Sequence, residues 1–250
     1  MKLSLHNKTV LVTGGARRVG AAICRRLHTA GANVMIHYRA SAAEARALAK
    51  ALNAARAGSA ACVKGDLLDD KMPRALVAAC IAAFGRLDVL VNNASSFYAT
   101  PVGKMNLRAW DDLIGTNLKA PLYLAQAAAR ELTKRRGCIV NIVDIHAELP
   151  LKDYAIYSIA KGGLAALTRS LARELAPAVR VNGVSPGPIL WPDMAIWKSP
   201  KTRKKIVDRT LLKRVGEPDD IARTVEFLIA SAPYVTGQII AVDGGRGISL

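Results

Sequence analysis

The sequence predicts an α/β fold of the doubly wound type, a parallel sheet covered by helices on both faces. Short β-branched runs alternate with longer segments rich in Ala, Leu and Arg along the 250 residues. The runs are apolar throughout, as expected of strands that are buried on both faces. A glycine-rich turn follows the first run and precedes a helical segment, which is the order found at phosphate-binding turns of such folds.

Seven runs are interpreted as strands. In chain order they are TVLVT, NVMIHY, AACVKGD, LDVLVNNA, CIVNIVD, VRVNGVSP and QIIAVDGG. Helices are predicted between them over segments that include 21–30, 42–57, 107–134 and 154–176. No repeat or linker interrupts the alternation, so a single domain over residues 1–250 is predicted.

The segment 188–216 departs from this periodicity. Pro, Trp and Lys replace the regular apolar spacing between the sixth strand and the last long helix. Because ligand sites of such folds lie at the carboxyl ends of the strands, a loop here is placed to cover one. We therefore predict a mobile substrate lid, in which Trp191 and Trp197 would close over a substrate or form an oligomer contact.

Composition argues against several classes of protein. No apolar run reaches the roughly twenty residues of a membrane-spanning helix, and polar residues interrupt the N-terminal apolar stretch. The four cysteines lack paired spacing, so neither disulfides nor a metal site is predicted, and a cytoplasmic protein is expected. The net charge of +17 is spread along the chain, which disfavours a nucleic-acid partner and indicates a basic surface that attracts anionic ligands.

The first strand runs into TGGARRVG and then into a helix. Glycines let a backbone approach a pyrophosphate, and the helix N-terminus offers unpaired N–H groups and the positive end of the helix dipole. Arg18 stands where such turns usually have a glycine, and its charge suits a phosphate-rich cofactor. The cofactor-binding residues predicted in this turn are Gly14, Arg17, Arg18, Val19 and Gly20.

The second strand ends at HYRASAAEA. Sites that prefer NAD usually carry Asp or Glu here, whereas a cation and a small hydroxyl suit the 2′-phosphate of NADP. Arg39 and Ser41 fit the second description, and Glu44 comes only in the next predicted helix. NADPH is therefore predicted in preference to NADH.

The segment from Asn141 to Lys161 has a pattern typical of proton transfer. Tyr157 and Lys161 are four residues apart and so share one face of a helix. A nearby ammonium stabilises a tyrosinate, so Lys161 is expected to lower the pKa of Tyr157. Asp144 ends the apolar run before them, which would put a carboxylate beside a proton donor.

Three further motifs accompany this pair: TGGARRVG, NNAS after the fourth strand, and VRVNGVSPG after the helix that carries Tyr157 and Lys161. In these motifs the chain resembles the short-chain dehydrogenase/reductase family over essentially its whole length. The resemblance implies a Rossmann-type fold and a homotetramer formed through helices over 107–134 and 154–176. It implies that Tyr157 is the acid or base, that Lys161 holds the nicotinamide ribose, and that Asn117 supports a water relay. It also implies cofactor contacts for Asp66, Leu67, Asn93, Ala94, Ser95, Tyr157, Pro186 and Gly187.

Asp144 departs from the family pattern, which has a serine there that donates a hydrogen bond to a substrate carbonyl. An ionised carboxylate would repel that oxygen. Pteridine reductases carry an aspartate at this position, and the chain resembles them also in NNASSFYATP, where Ser95 and Phe97 match residues that hold a pterin. This resemblance implies NADPH-dependent reduction of a dihydropterin or dihydrofolate. The substrate site would be Ser95, Phe97, Asp144 and Tyr157, without a metal.

Two alternatives remain open. One is a carbonyl or 3-oxoacyl thioester reductase of the same family, in which Asp144 is a tolerated substitution and the basic surface attracts an acidic carrier protein. The other is a non-catalytic NADP-binding or nucleic-acid-binding protein, which the intact set of Tyr157, Lys161 and Asn117 disfavours. No family role corresponds to His146, which is interpreted as a loop residue.

Overall fold

The computed structural model describes residues 3–191 and 199–249. At its centre is a seven-stranded parallel sheet with strand order β3-β2-β1-β4-β5-β6-β7, which confirms the predicted doubly wound fold. The strands are β1 Thr9–Val12, β2 Asn33–Tyr38, β3 Ala60–Lys64, β4 Val89–Asn92, β5 Cys138–Ile142, β6 Arg180–Pro186 and β7 Ile239–Val242. The strand order reverses between β1 and β4, which opens a crevice at their carboxyl ends.

Helices connect the strands. They are α1 Arg18–Thr29, α2 Ala42–Ala55, α3 Met72–Phe84, α4 Leu107–Ile114, α5 Ala120–Arg135, α6 Ala155–Glu174, α7 Pro200–Asp208 and α8 Pro218–Ala230. Within the described parts of the chain, none of these helices is long and apolar enough to cross a bilayer.

The sheet has a hydrophobic core on each face. Val10 and Val12 of β1 pack with residues of α1, α2 and α8, whereas Leu11 between them packs with residues of α3, α5 and α6. All three side chains are fully buried. Because successive residues of a strand point to opposite faces, a strand that is covered on both sides needs no polar alternation.

The helix predicted over 107–134 is α4 and α5 joined by a π-helical segment, Gly115–Lys119. Asn117 lies in this segment and is 1% exposed. Its Nδ2 donates hydrogen bonds to the carbonyl oxygens of Leu113 at 2.9 Å and Ser96 at 3.0 Å. Such irregular turns are frequent at functional sites, and apolar periodicity does not reveal them.

The segment 188–216 contains a helix that its sequence pattern did not indicate. α7 begins after Ser199, whose side chain accepts a hydrogen bond from the N–H of Thr202, and Pro200 occupies its first turn. None of its residues is buried, so no apolar stripe marks it in the sequence. Trp197, which was predicted to lie in the lid, is outside the described residues.

Candidate active site

A cleft of about 470 Å³ lies at the carboxyl ends of the central strands. It collects most of the predicted site residues, namely Gly14, Arg17, Arg18, Val19, Gly20, Arg39, Ser41, Asp66, Leu67, Asn93, Ala94, Ser95, Asp144, Tyr157, Lys161 and Pro186. Phe97 and Gly187 line a neighbouring pocket instead. Asn117 lines neither space, but its Oδ1 accepts a hydrogen bond of 2.6 Å from the Ser95 hydroxyl at the cleft wall.

The turn between β1 and α1 leaves its backbone open to a phosphate. Gly14 has a φ of 61°, and a Cβ on Gly20 would clash with the carbonyl oxygen of Gly14. Only glycine permits this close approach. Arg17, the N-cap residue of α1, makes no side-chain cap, so the first N–H groups of the helix have no partner from it. This geometry fits a pyrophosphate.

Side chains of two strand ends hold the turn in place. Asn93 Nδ2 donates to the carbonyl oxygens of Thr13 at 2.9 Å and Gly14 at 3.1 Å. Thr13 Oγ1 in turn accepts the N–H groups of Asn93 at 2.9 Å and Ala94 at 3.0 Å. These four hydrogen bonds join the turn to the end of β4.

His37, near the end of β2, lines the cleft and was not identified from the sequence. Its Nδ1 accepts the N–H of Gly14 at 3.2 Å, and its Nε2 donates to the carbonyl oxygen of Gly65 at 3.1 Å. These two bonds require a neutral ring with the proton on Nε2. Burial lowers the pKa of His37 and so favours this neutral form. The available signal was a polar residue in the apolar run NVMIHY.

The end of β2 forms the part of the cleft predicted to hold a 2′-phosphate. Arg17 lies 3.7 Å from Glu44 of α2. Among residues that the structure describes, no carboxylate lies within 4.0 Å of Arg39, so its charge is available to a ligand. Ser41 is the N-cap residue of α2, and its side chain makes no cap hydrogen bond.

Tyr157 and Asp144 are in direct contact. The Tyr157 hydroxyl donates a hydrogen bond of 2.7 Å to Oδ2 of Asp144, and the N–H of His146 donates one of 2.9 Å to Oδ1. Asp144 is the N-cap residue of a short 3₁₀ helix, Ile145–Ala147, which fixes the carboxylate after β5. His146, expected in a loop, is therefore in this helix.

The structure corrects the expected pKa of Tyr157. Burial raises the pKa of Tyr157 well above its usual value, and the charge and hydrogen bond of Asp144 raise it further, whereas a hydrogen bond with Ser95 opposes the shift. Lys161 is engaged elsewhere, because its Nζ donates to the carbonyl oxygen of Ile142 at 2.9 Å and lies 5.7 Å from the Tyr157 ring centroid. Burial lowers the pKa of Lys161 to about 8. Tyr157 is thus protonated at neutral pH.

A second pocket of about 520 Å³ adjoins the cleft, and Asp144 and Tyr157 line both spaces. Phe97 forms part of its wall. The Phe97 ring stacks on Tyr154 with centroids 4.6 Å apart and meets Tyr157 edge-on at 4.8 Å. The opposite wall comes from the loop after β6, from α7 and from the C-terminal 3₁₀ helix Arg246–Ile248. A substrate in this pocket would meet a cofactor in the cleft at Asp144 and Tyr157.

Arg18 connects the phosphate-binding turn to the loop after β6. Its guanidinium donates to the carbonyl oxygens of Leu190 at 3.2 Å and Trp191 at 3.3 Å. Its φ of 53° is left-handed, a conformation that costs a non-glycine residue about 1–2 kcal/mol. The Trp191 ring lies 5.2 Å from the guanidinium carbon of Arg203 in α7. Arg18 therefore contacts the wall of the second pocket as well as the cleft.

Within residues 3–191 and 199–249, no group of three or more His, Cys, Asp or Glu side chains is arranged to hold a metal ion.

Comparison with known proteins identifies the family of the chain. Residues 14–246 match the family model described as enoyl-(acyl carrier protein) reductase. Pteridine reductase 1 of Leishmania tarentolae is 40% identical, with 96% of each chain covered. An uncharacterised oxidoreductase of Methylorubrum extorquens is 37% identical over 96% of this chain and 98% of its own. A 3-oxoacyl-[acyl-carrier-protein] reductase of Staphylococcus aureus is 36% identical over 95% and 97%. The chain belongs to the short-chain dehydrogenase/reductase family of oxidoreductases.

Proposed function

We propose that the protein catalyses NADPH-dependent reduction of a dihydropterin or dihydrofolate to its tetrahydro form. The observation that carries this proposal is the hydrogen bond from Tyr157 to Asp144 at the boundary between the cleft and the second pocket. The 40% identity to a pteridine reductase supports it.

The cleft fits a dinucleotide that carries a 2′-phosphate. The pyrophosphate would lie at the N-terminus of α1, where Gly20 leaves no room for a side chain. Arg39 would neutralise the 2′-phosphate. Reductases of this family use NAD(P)H, and the bound cofactor supplies a hydride to a ring carbon of the substrate.

Asp144 suits a heterocycle rich in N–H groups. An ionised carboxylate accepts hydrogen bonds and donates none, so it cannot polarise a ketone oxygen. The amino group and ring N–H groups of a pterin are donors that it can bind. Because the His146 N–H already fixes Oδ1, the carboxylate is held in position before a substrate enters.

Tyr157 supplies the proton that a C=N bond needs on nitrogen. Its raised pKa keeps the hydroxyl protonated at neutral pH, so the proton is present when the hydride is transferred. Ser95, which lowers the pKa of Tyr157, would stabilise the tyrosinate that remains by turning its single hydroxyl hydrogen from Asn117 to Tyr157. Ser95 is itself positioned by its hydrogen bond to Asn117.

Reduction of a 3-oxoacyl thioester is the second candidate function. It is favoured by the 36% identity to a 3-oxoacyl-[acyl-carrier-protein] reductase. The net charge of +17 would also attract an acidic carrier protein. In this case Tyr157 would protonate the carbonyl oxygen, and Asp144 would have to be protonated to avoid repelling it.

NADPH oxidation by the purified protein tests the proposal. The substrates are 7,8-dihydrobiopterin, dihydrofolate and a simple 3-oxoacyl thioester under the same conditions. We expect turnover of the pterins and little of the thioester. The reverse result would establish the second candidate and contradict the first.

The variant Asp144→Ser tests the role of the carboxylate. It should lower kcat on the pterin by about tenfold to a hundredfold, because it removes the proton network and leaves the phosphate-binding turn intact. Asp144→Asn is the matched control, since it keeps the shape of the side chain and replaces one acceptor oxygen with an NH₂ donor. Equal losses of turnover and of NADPH affinity would contradict the assignment.

The variant Arg39→Gln tests the cofactor preference. KM for NADPH should rise about tenfold while that for NADH changes little, because only NADPH has the 2′-phosphate. An unchanged preference would remove the argument for NADPH at this position.

We also propose that the protein is a homotetramer and that the exposed apolar residues of its long helices form the contacts. Leu107 and Trp110 of α4, Tyr123 of α5 and Ile159 of α6 are between 44% and 80% exposed. Light scattering on the purified protein measures this directly, and a monomer at all concentrations would contradict it.

A further inference from the structure

We infer that the second pocket contains a binding site for an anionic tail of the substrate, formed by Lys201, Lys205, Arg209 and Arg246. We call these four residues the tail site. The site deepens the proposed function, because it names the class of substrate that the pocket selects: a heterocycle that bears a carboxylate or a phosphate on its side chain.

The four cations converge on one wall of the pocket from two separate elements. Lys201 and Lys205 are one turn apart on α7, and Arg209, its C-cap residue, follows one turn later, so the three form a single stripe. Arg246 comes from the C-terminal 3₁₀ helix, where its guanidinium donates to the carbonyl oxygen of Ile206 at 3.3 Å. None of the four lines the cofactor cleft.

In the described parts of the chain, no carboxylate forms an ion pair with this wall. The four cations have no ion pair within 4.0 Å there. Asp208 of α7 pairs with Lys204 at 2.7 Å, and Asp243 accepts the N–H groups of Gly245 and Gly247. Asp144 also lines the pocket, but it lies at the boundary with the cleft and forms no ion pair with any of the four cations.

The arrangement is unfavourable without an anion. Like charges one helical turn apart destabilise a helix, and Arg246 adds a further positive charge beside Arg209. Burial, and after it the charge of Arg209, lower the pKa of Arg246, and the charge of Asp243 only partly offsets them. An anion in the pocket would relieve this repulsion, whereas a neutral side chain would not.

The pocket is therefore polarised. Asp144 and Tyr157, at the boundary with the cleft, would face the N–H donors and the reacting C=N bond of the substrate heterocycle. The tail site would face the side chain that extends from this heterocycle. Arginine guanidinium groups bind carboxylates and phosphates through paired hydrogen bonds, and lysines add point charges. Dihydrofolate carries two carboxylates and a pterin phosphate ester carries a phosphate, whereas dihydrobiopterin has no anionic group.

The double variant Lys205→Gln with Arg246→Gln tests the tail site. The readout is the ratio of kcat/KM for dihydrofolate to kcat/KM for dihydrobiopterin, which cancels any shared effect on folding or cofactor binding. We expect the ratio to fall about tenfold in the double variant. Lys204→Gln, a neutralisation on the same helix outside the tail site, should leave the ratio within about twofold.

Two further comparisons use the wild-type protein, so they do not depend on whether a variant folds. They distinguish a carboxylate from a phosphate as the anion that the site binds. In the wild type, 0.3 M salt should lower kcat/KM for dihydrofolate more than for dihydrobiopterin, because salt screens the tail contact. The same ratio for a pterin phosphate ester against its unphosphorylated parent shows whether phosphate is accepted. The tail site is overturned if neither the double variant nor salt changes the kcat/KM ratio of the anionic to the uncharged substrate, both for the carboxylate and for the phosphate.

Failure of the proposed function is separable from failure of the tail site. If the wild type reduces no pterin, the proposed function fails. The tail site is then tested with a 3-oxoacyl thioester of phosphopantetheine, which carries a phosphate, against the same acyl group on N-acetylcysteamine, which carries none. A ratio that falls in the double variant supports the tail site, and an unchanged ratio contradicts it.

Discussion

The cofactor cleft and the second pocket meet at Asp144 and Tyr157, but they are built differently. The cleft is held by short side chains at strand ends, such as Asn93 and Thr13, whose hydrogen bonds join β1 to β4. The second pocket has one wall fixed to β5 and the other formed by α7 and the loop after β6. No residue of α7 is buried.

Because of this difference, the cofactor cleft and the second pocket can change independently. The backbone of the phosphate-binding turn cannot move without disturbing the strand ends that Asn93 and Thr13 join. α7 can change its charge or position at little cost to the core, because it buries little apolar surface. Substitutions at the residues that hold the backbone of the turn should therefore affect both stability and cofactor binding, whereas those on α7 should affect substrate selection.

The largest effect is expected at the boundary that both regions share. Tyr157→Phe keeps the ring that packs on Phe97 and removes only the hydroxyl. We expect kcat to fall by about 10²–10⁴, as for loss of a positioned proton donor, with little change in NADPH affinity. Tyr154→Phe is the matched control, because it removes a hydroxyl from the other tyrosine that packs on Phe97. Equal losses in the two variants would contradict a specific role for the Tyr157 hydroxyl as the proton donor.

The next effect concerns the charge buried in the cleft. The pKa of Lys161 is lowered from 10.5 to about 8 by burial, so between these pH values the unfolded chain holds a proton that the folded protein has released. The stability contribution of Lys161 therefore rises with pH across this window, by about 3 kcal/mol in total.

Lys161→Met removes this titration. The free energy of unfolding of the variant, minus that of the wild type, should decrease by that amount between pH 8 and pH 10.5. The difference is needed because buried thiols titrate in the opposite sense over the same range: burial raises the pKa of Cys138 to about 11. A difference that stays constant with pH would contradict a depressed pKa at Lys161.

The parts of the site that could be predicted from the sequence rest on local patterns. TGGARRVG between a strand and a helix predicted the turn, and the four-residue spacing of Tyr157 and Lys161 predicted that they share a helix face. Asp144 was found because a carboxylate ended an apolar run. Each of these features needs only the residues beside it, so the sequence contains the whole signal.

The remainder depends on contacts between distant segments. His37 acts through Gly14 and Gly65, which belong to two other connections of the sheet. The pKa of Tyr157 was predicted in the wrong direction because its burial and its bond to Asp144 outweigh a lysine whose Nζ is bound elsewhere. α7 was missed because none of its residues is buried, so its sequence has no regular spacing of apolar residues.

A smaller effect tests the rigidity of the cleft itself. A Cβ at position 20 would lie 2.7 Å from Nδ2 of Asn93 and closer still to the Gly14 carbonyl, so Gly20→Ala must displace the turn. We expect a loss of about 1–3 kcal/mol in stability and about tenfold to a hundredfold in NADPH affinity. Gly103→Ala is the control, since a Cβ there meets nothing within 4 Å. If both variants bound NADPH like the wild type, the turn would be more adaptable than its contacts indicate.

The smallest effect is expected where the two regions are joined by Arg18. Arg18→Gly relieves the left-handed φ of 53° and removes the hydrogen bonds to the carbonyl oxygens of Leu190 and Trp191. These contributions oppose each other, so stability should change by less than about 1 kcal/mol. Freed from the turn, the segment 188–216 should be cut faster by trypsin, and KM for the pterin should rise about threefold with kcat little changed.

Arg17→Gln provides the comparison for Arg18, because it removes a charge from the same turn without touching the loop after β6. It should weaken NADPH binding and leave the rate of cleavage in 188–216 as in the wild type. If Arg18→Gly also left that rate unchanged, Arg18 would not hold the loop. The segment could then act as a lid only through contacts of its own, and the cleft and the second pocket would be coupled solely through Asp144 and Tyr157.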